Sequence, residues 1–324
     1  MVSEFELIRR HFTRPTAHTV LGVGDDAALM RIRPGMELAA STDMLVAGVH
    51  FLGGTDPRNL GWKALAVNVS DLAAMGAQPR WALLAAALPS PDEVWIAAFA
   101  EGLFACAHAH SIDIVGGDTT RGPLTINVSV FGEVPAGEAL RRSGAHAGDD
   151  IWISGTPGTA ALGLAALRGR IRLGAQSQAR CVGALERPQP RVALGLALRG
   201  LASAAIDVSD GLLADLGHIA ECSALAAEVR DDWLPWAPLA GLTSDATLAR
   251  ECLLAGGDDY ELAFTAAAGR RGEIEAAASR LGVTLTRIGR MQGGPAGSVV
   301  LVDAGGSPLP VVARGFDHFE SAPE

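Results

Sequence analysis

Five times in this chain an apolar stretch runs out into a small residue followed by aspartate. The instances are Gly22-Val23-Gly24-Asp25-Asp26, Ser41-Thr42-Asp43, Gly116-Gly117-Asp118, Ile206-Asp207-Val208-Ser209-Asp210 and Gly256-Gly257-Asp258-Asp259. One Gly-Asp is an ordinary turn, because Gly tolerates positive φ and Asp caps. Five at the ends of short apolar runs read as strands delivering acids to one edge, where α/β folds collect their ligand sites. Asp71 joins them from a helix, one turn after Asn68 and on the same face. Converging carboxylates repel and take up protons unless a cation intervenes. Aspartate oxygens are what Mg²⁺ prefers, commonly with phosphate oxygens completing its octahedron. The pattern therefore predicts a Mg²⁺–nucleotide site on an α/β chain.

The spacing of elements supports two α+β halves. In the first, strands are predicted over Glu37–Ser41, Arg80–Leu88, Ile112–Val115 and Leu124–Val134. Asp56-Pro57 opens a helix that should run to Met75 and stop at Gly76, and Pro91-Asp92 opens another reaching His110. A stretch rich in Gly, Ala and Arg between Pro135 and Gly148 separates the halves, giving domains 1–137 and 138–324. The second half restarts with a strand at Asp150–Ser154, a Gly-rich turn at Gly155–Gly158 and a helix to Leu167. Further strands are predicted at Ala204–Val208, Ala226–Val229, Glu261–Thr265, Thr284–Ile288 and Ser298–Val302. Helices fit Val192–Leu201, Gly211–Cys222 and Arg271–Leu281. At 324 residues and 49% apolar composition, each half can bury its own core.

Several function classes drop out. A net charge of −10 argues against general nucleic-acid binding, which needs a basic face. The longest apolar run, Trp81–Leu88, is too short to span a bilayer. The acidic N-terminal segment is unlike a secretory signal, so a soluble cytoplasmic protein is expected, with no membrane partner. Cys106, Cys181, Cys222 and Cys252 show no C-x-x-C spacing and read as reduced buried thiols. Gly22-Val23-Gly24-Asp25-Asp26-Ala27 fits the dinucleotide fingerprint G-x-G-x-x-G/A, but two carboxylates sit where a pyrophosphate would approach. The sole lysine, Lys63, lies outside any Gly-rich loop, and no G-x-x-x-x-G-K-[ST] occurs. ATP, if used, is held without a P-loop.

Taken together, the motifs resemble the thiamine-monophosphate kinase family of the aminoimidazole-ribonucleotide synthetase (PurM-like) superfamily. The superfamily-wide stretch runs from Ala66 to Pro79. The kinase-specific stretches are Gly22–Leu29, Ser41–Phe51, Gly116–Gly122, Ile206–Gly211, Gly256–Leu262 and Gly315–Phe319, in family order along the whole chain. The resemblance implies a two-domain PurM-like α/β (α+β) fold, homodimeric through the N-terminal domain. It implies direct transfer of the ATP γ-phosphoryl group to thiamine monophosphate with several Mg²⁺ ions. Position by position, Asp26, Ser41, Thr42, Asp43, Asp71, Asp118, Asp207 and Asp210 match metal-binding residues. Asp43, Asp118 and Asp210 are the three given the central catalytic part. Gly117, Asp118, Arg142 and Ser209 match nucleotide contacts, and His50, Asp258 and Phe316 match the substrate site. The chain departs from the family at Asp258, commonly Glu, and at Phe316, commonly Tyr or Trp. Other ATP-using members of the superfamily, and a catalytically idle nucleotide sensor, are the alternatives.

The chemistry suits these residues. A phosphate monoester with a second pKa of about 6 is already ionised at neutral pH and needs no general base. Phosphoryl transfer then reduces to positioning and charge neutralisation, which an acid-rich site without a Ser-His-Asp arrangement can supply through Mg²⁺. An acid at 258 and an aromatic face at 316 are sensible neighbours for a thiazolium cation.

Overall fold

A computed structural model describes residues 4–310 and 315, and the chain divides between Ala139 and Leu140 into two compact units. In the first, α1 (Glu4–Leu7) and a π-turn (Ile8–Phe12) precede a small pair of strands, β1 (Thr19–Leu21) and β2 (Leu29–Met30). Then come β3 (Met36–Val46), α2 (Pro57–Ala74), β4 (Gln78–Leu88), α3 (Glu93–His110), β5 (Asp113–Arg121) and β6 (Thr125–Pro135). The sheet order is β3-β6-β4-β5, antiparallel except for β4 and β5, which α3 connects in parallel.

α2 begins where the sequence says it should. Pro57 occupies the first turn, and the Asp56 carboxylate accepts the N–H groups of Arg58 (2.9 Å) and Asn59 (3.2 Å). The helix is buried on every side from Leu60 to Ser70, packed on β3, β6 and α3. Small residues allow this. A Cβ on Gly61 would stand 2.0 Å from the Phe99 carbonyl oxygen, and one on Gly102 1.8 Å from that of Arg58. The α2–α3 approach thus exists because both positions are glycine.

Several strands run further than expected, among them β4 from Gln78 and β11 to Gln292, and in two others this changes where acids sit. β3 continues to Val46 rather than stopping at Ser41, so Ser41, Thr42 and Asp43 lie within a strand. β5 continues through Gly116-Gly117 to Arg121, so Asp118 is also in mid-strand. The reason is Gly117, at φ +150° beside a register shift: a Cβ there would fall 1.6 Å from the Leu84 carbonyl oxygen. The glycines carry the strand past a bulge instead of ending it.

The second unit comprises β7 (Asp150–Ser154), α4 (Thr159–Leu167), α5 (Ala175–Glu186), α6 (Val192–Leu198), β8 (Ala204–Val208), α7 (Leu212–Cys222) and β9 (Ala226–Arg230). It continues with α8 (Trp236–Ala240), α9 (Ala246–Ala255), β10 (Glu261–Ala266), α10 (Arg271–Leu281), β11 (Leu285–Gln292) and β12 (Val299–Val302). These strands form one sheet in the order β12-β9-β11-β7-β10-β8, parallel only between β12 and β9. β7, β8 and β10 are buried along their full lengths, which is why each carries a short apolar run without polar alternation: Ile151–Ile153, Ala204–Ile206 and Leu262–Phe264. Their core includes Ile151, Ile153, Ile206, Val208 and Ala263 against Leu162, Leu212, Leu216, Ile219 and Leu253. The thiols are all unbridged; Cys222 is exposed, against expectation, while the other three are buried. No helix among the described residues is long and apolar enough to cross a membrane.

Candidate active site

In the first unit, strand alternation sorts the predicted residues by face. Ser41 and Asp43 point toward α2. The Ser41 hydroxyl donates to Asp71 Oδ2 at 2.5 Å, and the Asp43 N–H donates to Asn68 Oδ1 at 2.8 Å. Asn68 is completely buried and donates its Nδ2 to the Ala64 carbonyl (3.0 Å), which fixes its amide. Ser41, Asp43, Asn68 and Asp71 therefore form one constellation. Thr42 faces the other way, its hydroxyl 2.9 Å from that of Ser129 and 3.1 Å from the Val128 carbonyl. Asn127 lies on the same face as Thr42, donating to Thr42 Oγ1 (3.2 Å) and to the main-chain carbonyl of Asp43 (3.0 Å).

Asp118 does not join that constellation. Register sets it beside Ala85, in the cross-strand row of Asn127 and Met44, on the sheet face opposite Asp43. It is exposed, as is Asp26 in the β1–β2 turn, whose N–H donates to Asp25 Oδ1 (2.9 Å). His50 follows β3 and accepts the Val46 N–H at Nδ1 (3.0 Å), which places the neutral ring's proton on Nε2. Gly117 lies in the row of Asp43 and brings its backbone against Leu84.

In the second unit, Asp207 is buried in β8, and Ser209 and Asp210 follow it in a half-buried loop. Asp258 takes a left-handed conformation (φ +66°), and its N–H donates to the Ser209 carbonyl at 2.8 Å. Tyr260, also left-handed at φ +50°, donates its N–H to Val208 O (2.8 Å) and its hydroxyl to Asp258 Oδ1 (3.3 Å). The predicted substrate acid is thus stitched to the loop carrying Ser209 and Asp210. Its neighbour Asp259 turns to α4, accepting the N–H groups of Gly158 (2.5 Å) and Ala160 (3.3 Å). Burial pushes the Asp259 carboxyl well above the ordinary range, against those two bonds. The helix N-terminus at Gly155–Gly158 is consequently answered from within the protein. In a cavity of about 320 Å³ beside it, Glu261 bridges Arg191 and the Ser154 hydroxyl. Arg142 is exposed, its carbonyl accepting the Ser223 hydroxyl at 3.3 Å. Phe316 lies outside the described residues.

One acid was passed over in the sequence. Asp215, five residues after Asp210, is a poor match for a shared helix face, yet its Oδ2 accepts the N–H groups of Ser209, Asp210 and Gly211. Burial first, and then the charge of Asp210, pushes its carboxyl up to about 7. Asn127 and Tyr260 carried no sequence signal beyond their neighbourhoods.

The donor set is one Mg²⁺ would accept: carboxylate and hydroxyl oxygens, with no thiolate or imidazole cluster. Among the described residues no three Asp, Glu, His or Cys side chains gather closely enough to enclose an ion by themselves.

Comparison with known proteins decides the family. The family "AIR synthase related protein, N-terminal domain" matches residues 24–134. The thiamine-monophosphate kinase of Salmonella typhimurium is 46% identical over 98% of both chains. The chain belongs to the thiamine-monophosphate kinase family. A solved family structure from Stenotrophomonas maltophilia is 49% identical and covers 92% of this chain and 94% of its own, with a TM-score of 0.82. Another, described as AaThiL complexed with AMPPCP and TMP, is 29% identical, with coverage of 98% and 97% and a TM-score of 0.76. The fold is PurM-like, with a mixed sheet in each unit.

Proposed function

We propose that this chain phosphorylates thiamine monophosphate with ATP, yielding thiamine diphosphate and ADP, and that it does so with Mg²⁺. The observation that carries the kinase reading is identity near one half along the entire length of thiamine-monophosphate kinases, with the acid motifs intact. ATP as co-substrate draws support from the ATP-analogue complex of a family structure.

The residue roles follow from chemistry. Asp43 and Asp71, with Ser41 beside them, would hold one metal position; Asp118 and Asp26, both exposed, offer oxygens at others. Asp207 and Asp210 supply the acids of the second unit. Bound Mg²⁺ would neutralise charge on the phosphates and lessen their mutual repulsion. The acceptor phosphate needs no base, so the protein's task is alignment: Ser209 and the Gly117 backbone on the nucleotide, Arg142 as a fixed positive charge. His50, Asp258 and Phe316 are assigned to the thiamine end, and the half-buried Asp258 carboxylate suits a thiazolium cation. We also propose a homodimer formed by the first unit.

The test is ADP release from Mg-ATP, with and without thiamine monophosphate, followed by product identification. ADP and thiamine diphosphate appearing together, and only with both substrates and Mg²⁺, is the expected result. Mg-ATP binding without acceptor-dependent turnover would move the substrate to another phosphorylated compound.

A further inference from the structure

The loop Ser209–Gly211 is held from beneath by a carboxylate that no family motif in this chain includes. Asp215 lies in the first turn of α7 and is 2% exposed. Its Oδ2 lies 3.1 Å from the Ser209 nitrogen and 3.2 Å from those of Asp210 and Gly211. Three successive amides converging on one point is how backbone nests hold an anion. Here the chain supplies the acceptor itself. The oxygen that accepts all three is used up by them, so through Oδ2 Asp215 acts on the loop.

The rest of the loop is equally constrained. The Ser209 carbonyl accepts the Asp258 N–H, and the Val208 carbonyl accepts the Tyr260 N–H. Gly211 takes φ +134°, where a Cβ would press to 2.8 Å from the Ala255 backbone, and a Cβ on Gly257 would stand 2.3 Å from the Ser209 carbonyl oxygen. The Asp258–Tyr260 segment thus fixes the Val208 and Ser209 carbonyls, and Asp215 gathers the loop's amides.

We propose that Asp215 is a positioning residue: by binding the three loop amides it sets the directions in which Ser209 and Asp210 present their side chains to nucleotide and metal. This rests on the assignment of Ser209 and Asp210 to those ligands. The inference separates Asp215 from the acids around it, since its role survives replacement of the charge but not of the acceptor. An asparagine Oδ1 can take the same three bonds; an alanine cannot.

The experiment is steady-state kinetics of Asp215→Ala, Asp215→Asn and Asp210→Asn, titrating Mg²⁺ and ATP, with circular dichroism confirming the fold. Asp215→Ala should raise the KM for Mg-ATP and the half-saturating Mg²⁺ concentration about tenfold, with the KM for thiamine monophosphate little changed. Asp215→Asn should restore both to within about twofold. Wild-type metal and nucleotide dependence in folded Asp215→Ala would overturn the proposal, as would an Asp215→Asn no better than the alanine variant. If Asp215→Ala does not fold, Asp215→Glu decides. It keeps the charge but moves the carboxylate by a methylene, and an unchanged KM for Mg-ATP there counts against positioning. Asp210→Asn checks the foundation: an unaltered Mg²⁺ requirement in that variant removes the metal assignment itself, whereas its loss beside a normal Asp215→Ala removes only the positioning role.

Discussion

Asp43 and Asp118 carry the same charge and the same motif logic, yet they stand on opposite faces of one sheet. Each is therefore expected to serve a different metal position, and neither should compensate for the other. Asp43→Asn and Asp118→Asn should each leave a folded protein with kcat/KM lowered about 10²-fold or more, the scale seen when one charge-stabilising group is lost. Near-wild-type turnover in either variant, measured by coupled ADP release, would falsify that residue's metal role. Asp258 makes a narrower prediction. Its backbone is tied to the Ser209 loop, but its carboxylate is held by Tyr260, away from the loop amides. Asp258→Asn should thus raise the KM for thiamine monophosphate while moving that for ATP much less. Equal effects on both would assign Asp258 to the shared phosphate region instead.

The α2–α3 pair shows how a helix interface can hang on one missing methyl. Gly61→Ala sets a Cβ 2.0 Å from a backbone carbonyl, which no rotamer change can relieve. The cost should reach about 3 kcal/mol, the upper range for overpacking, and show as a lower urea midpoint. Gly183 in α5 is the counter-case: nothing lies within 4 Å of its Cβ position, and Gly183→Ala should stabilise by about 0.5–1 kcal/mol through helix propensity. If both variants lose stability alike, close approach is not what the α2 glycine provides. These elements also mark what the sequence could reveal. α2, α3, β7, β8 and α10 were legible because helix-end residues and short apolar runs announce themselves locally. α5 was missed because it buries little beyond Cys181 and Leu185, too short a stripe to declare a period. α9 had a usable signal, Asp245 capping the Leu248 N–H ahead of Leu248, Ala249, Cys252 and Leu253. The ends of β3 and β5 were misplaced because Ser-Thr-Asp and Gly-Gly-Asp read as turns. Only pairing with β6 and β4 keeps them extended, and pairing is long-range information. The acids of the site were legible as residue types for the same reason that their faces were not: composition sits in the motif, orientation in the register.

For the molecule as a whole, acid stability should depend on Asp150. Burial alone would raise its carboxyl, but hydrogen bonds from Arg271 (2.5 and 2.8 Å) and Arg287 (3.3 Å) outweigh it and hold it below the usual range. A depressed folded-state value stabilises the protein above the unfolded carboxylate range and is lost as pH falls through the folded value. Asp150→Asn should cost about 2 kcal/mol at neutral pH, its arginines being partly solvated; the gap from wild type in thermal melts should begin to narrow below about pH 4 and close only below the depressed folded-state value. A gap that persists unchanged into acid would exclude ionisation of Asp150 as its source. Asp215 and Asp259, with raised values, act in the opposite sense and lower stability as pH rises, so the difference between the two proteins is the quantity to follow.

Association is the remaining property of the whole molecule that the first unit's sheet bears on. α2 covers one face of that sheet; on the other, Leu38, Ala40, Thr42 and Met44 of β3 form an exposed row, with Leu38 at 43% and Met44 at 55% exposure. Cross-strand partners extend the row with half-buried Phe131 and Leu83 and exposed Ala85. A solvated sheet face is ordinarily polar, and a large exposed apolar patch marks an interaction surface. A second copy of the chain is the occupant that the proposed homodimer supplies. Wild-type protein should then run at twice 33.4 kDa in light scattering. Leu38→Glu is the discriminating variant, because Leu38 pairs with Glu133 at the far end of β3 from Asp43. A charge buried in the interface without a partner costs several kcal/mol, enough to shift the protein to monomer at micromolar concentration. A monomeric wild type, or an Leu38→Glu dimer as tight as wild type, would leave this face to some other contact.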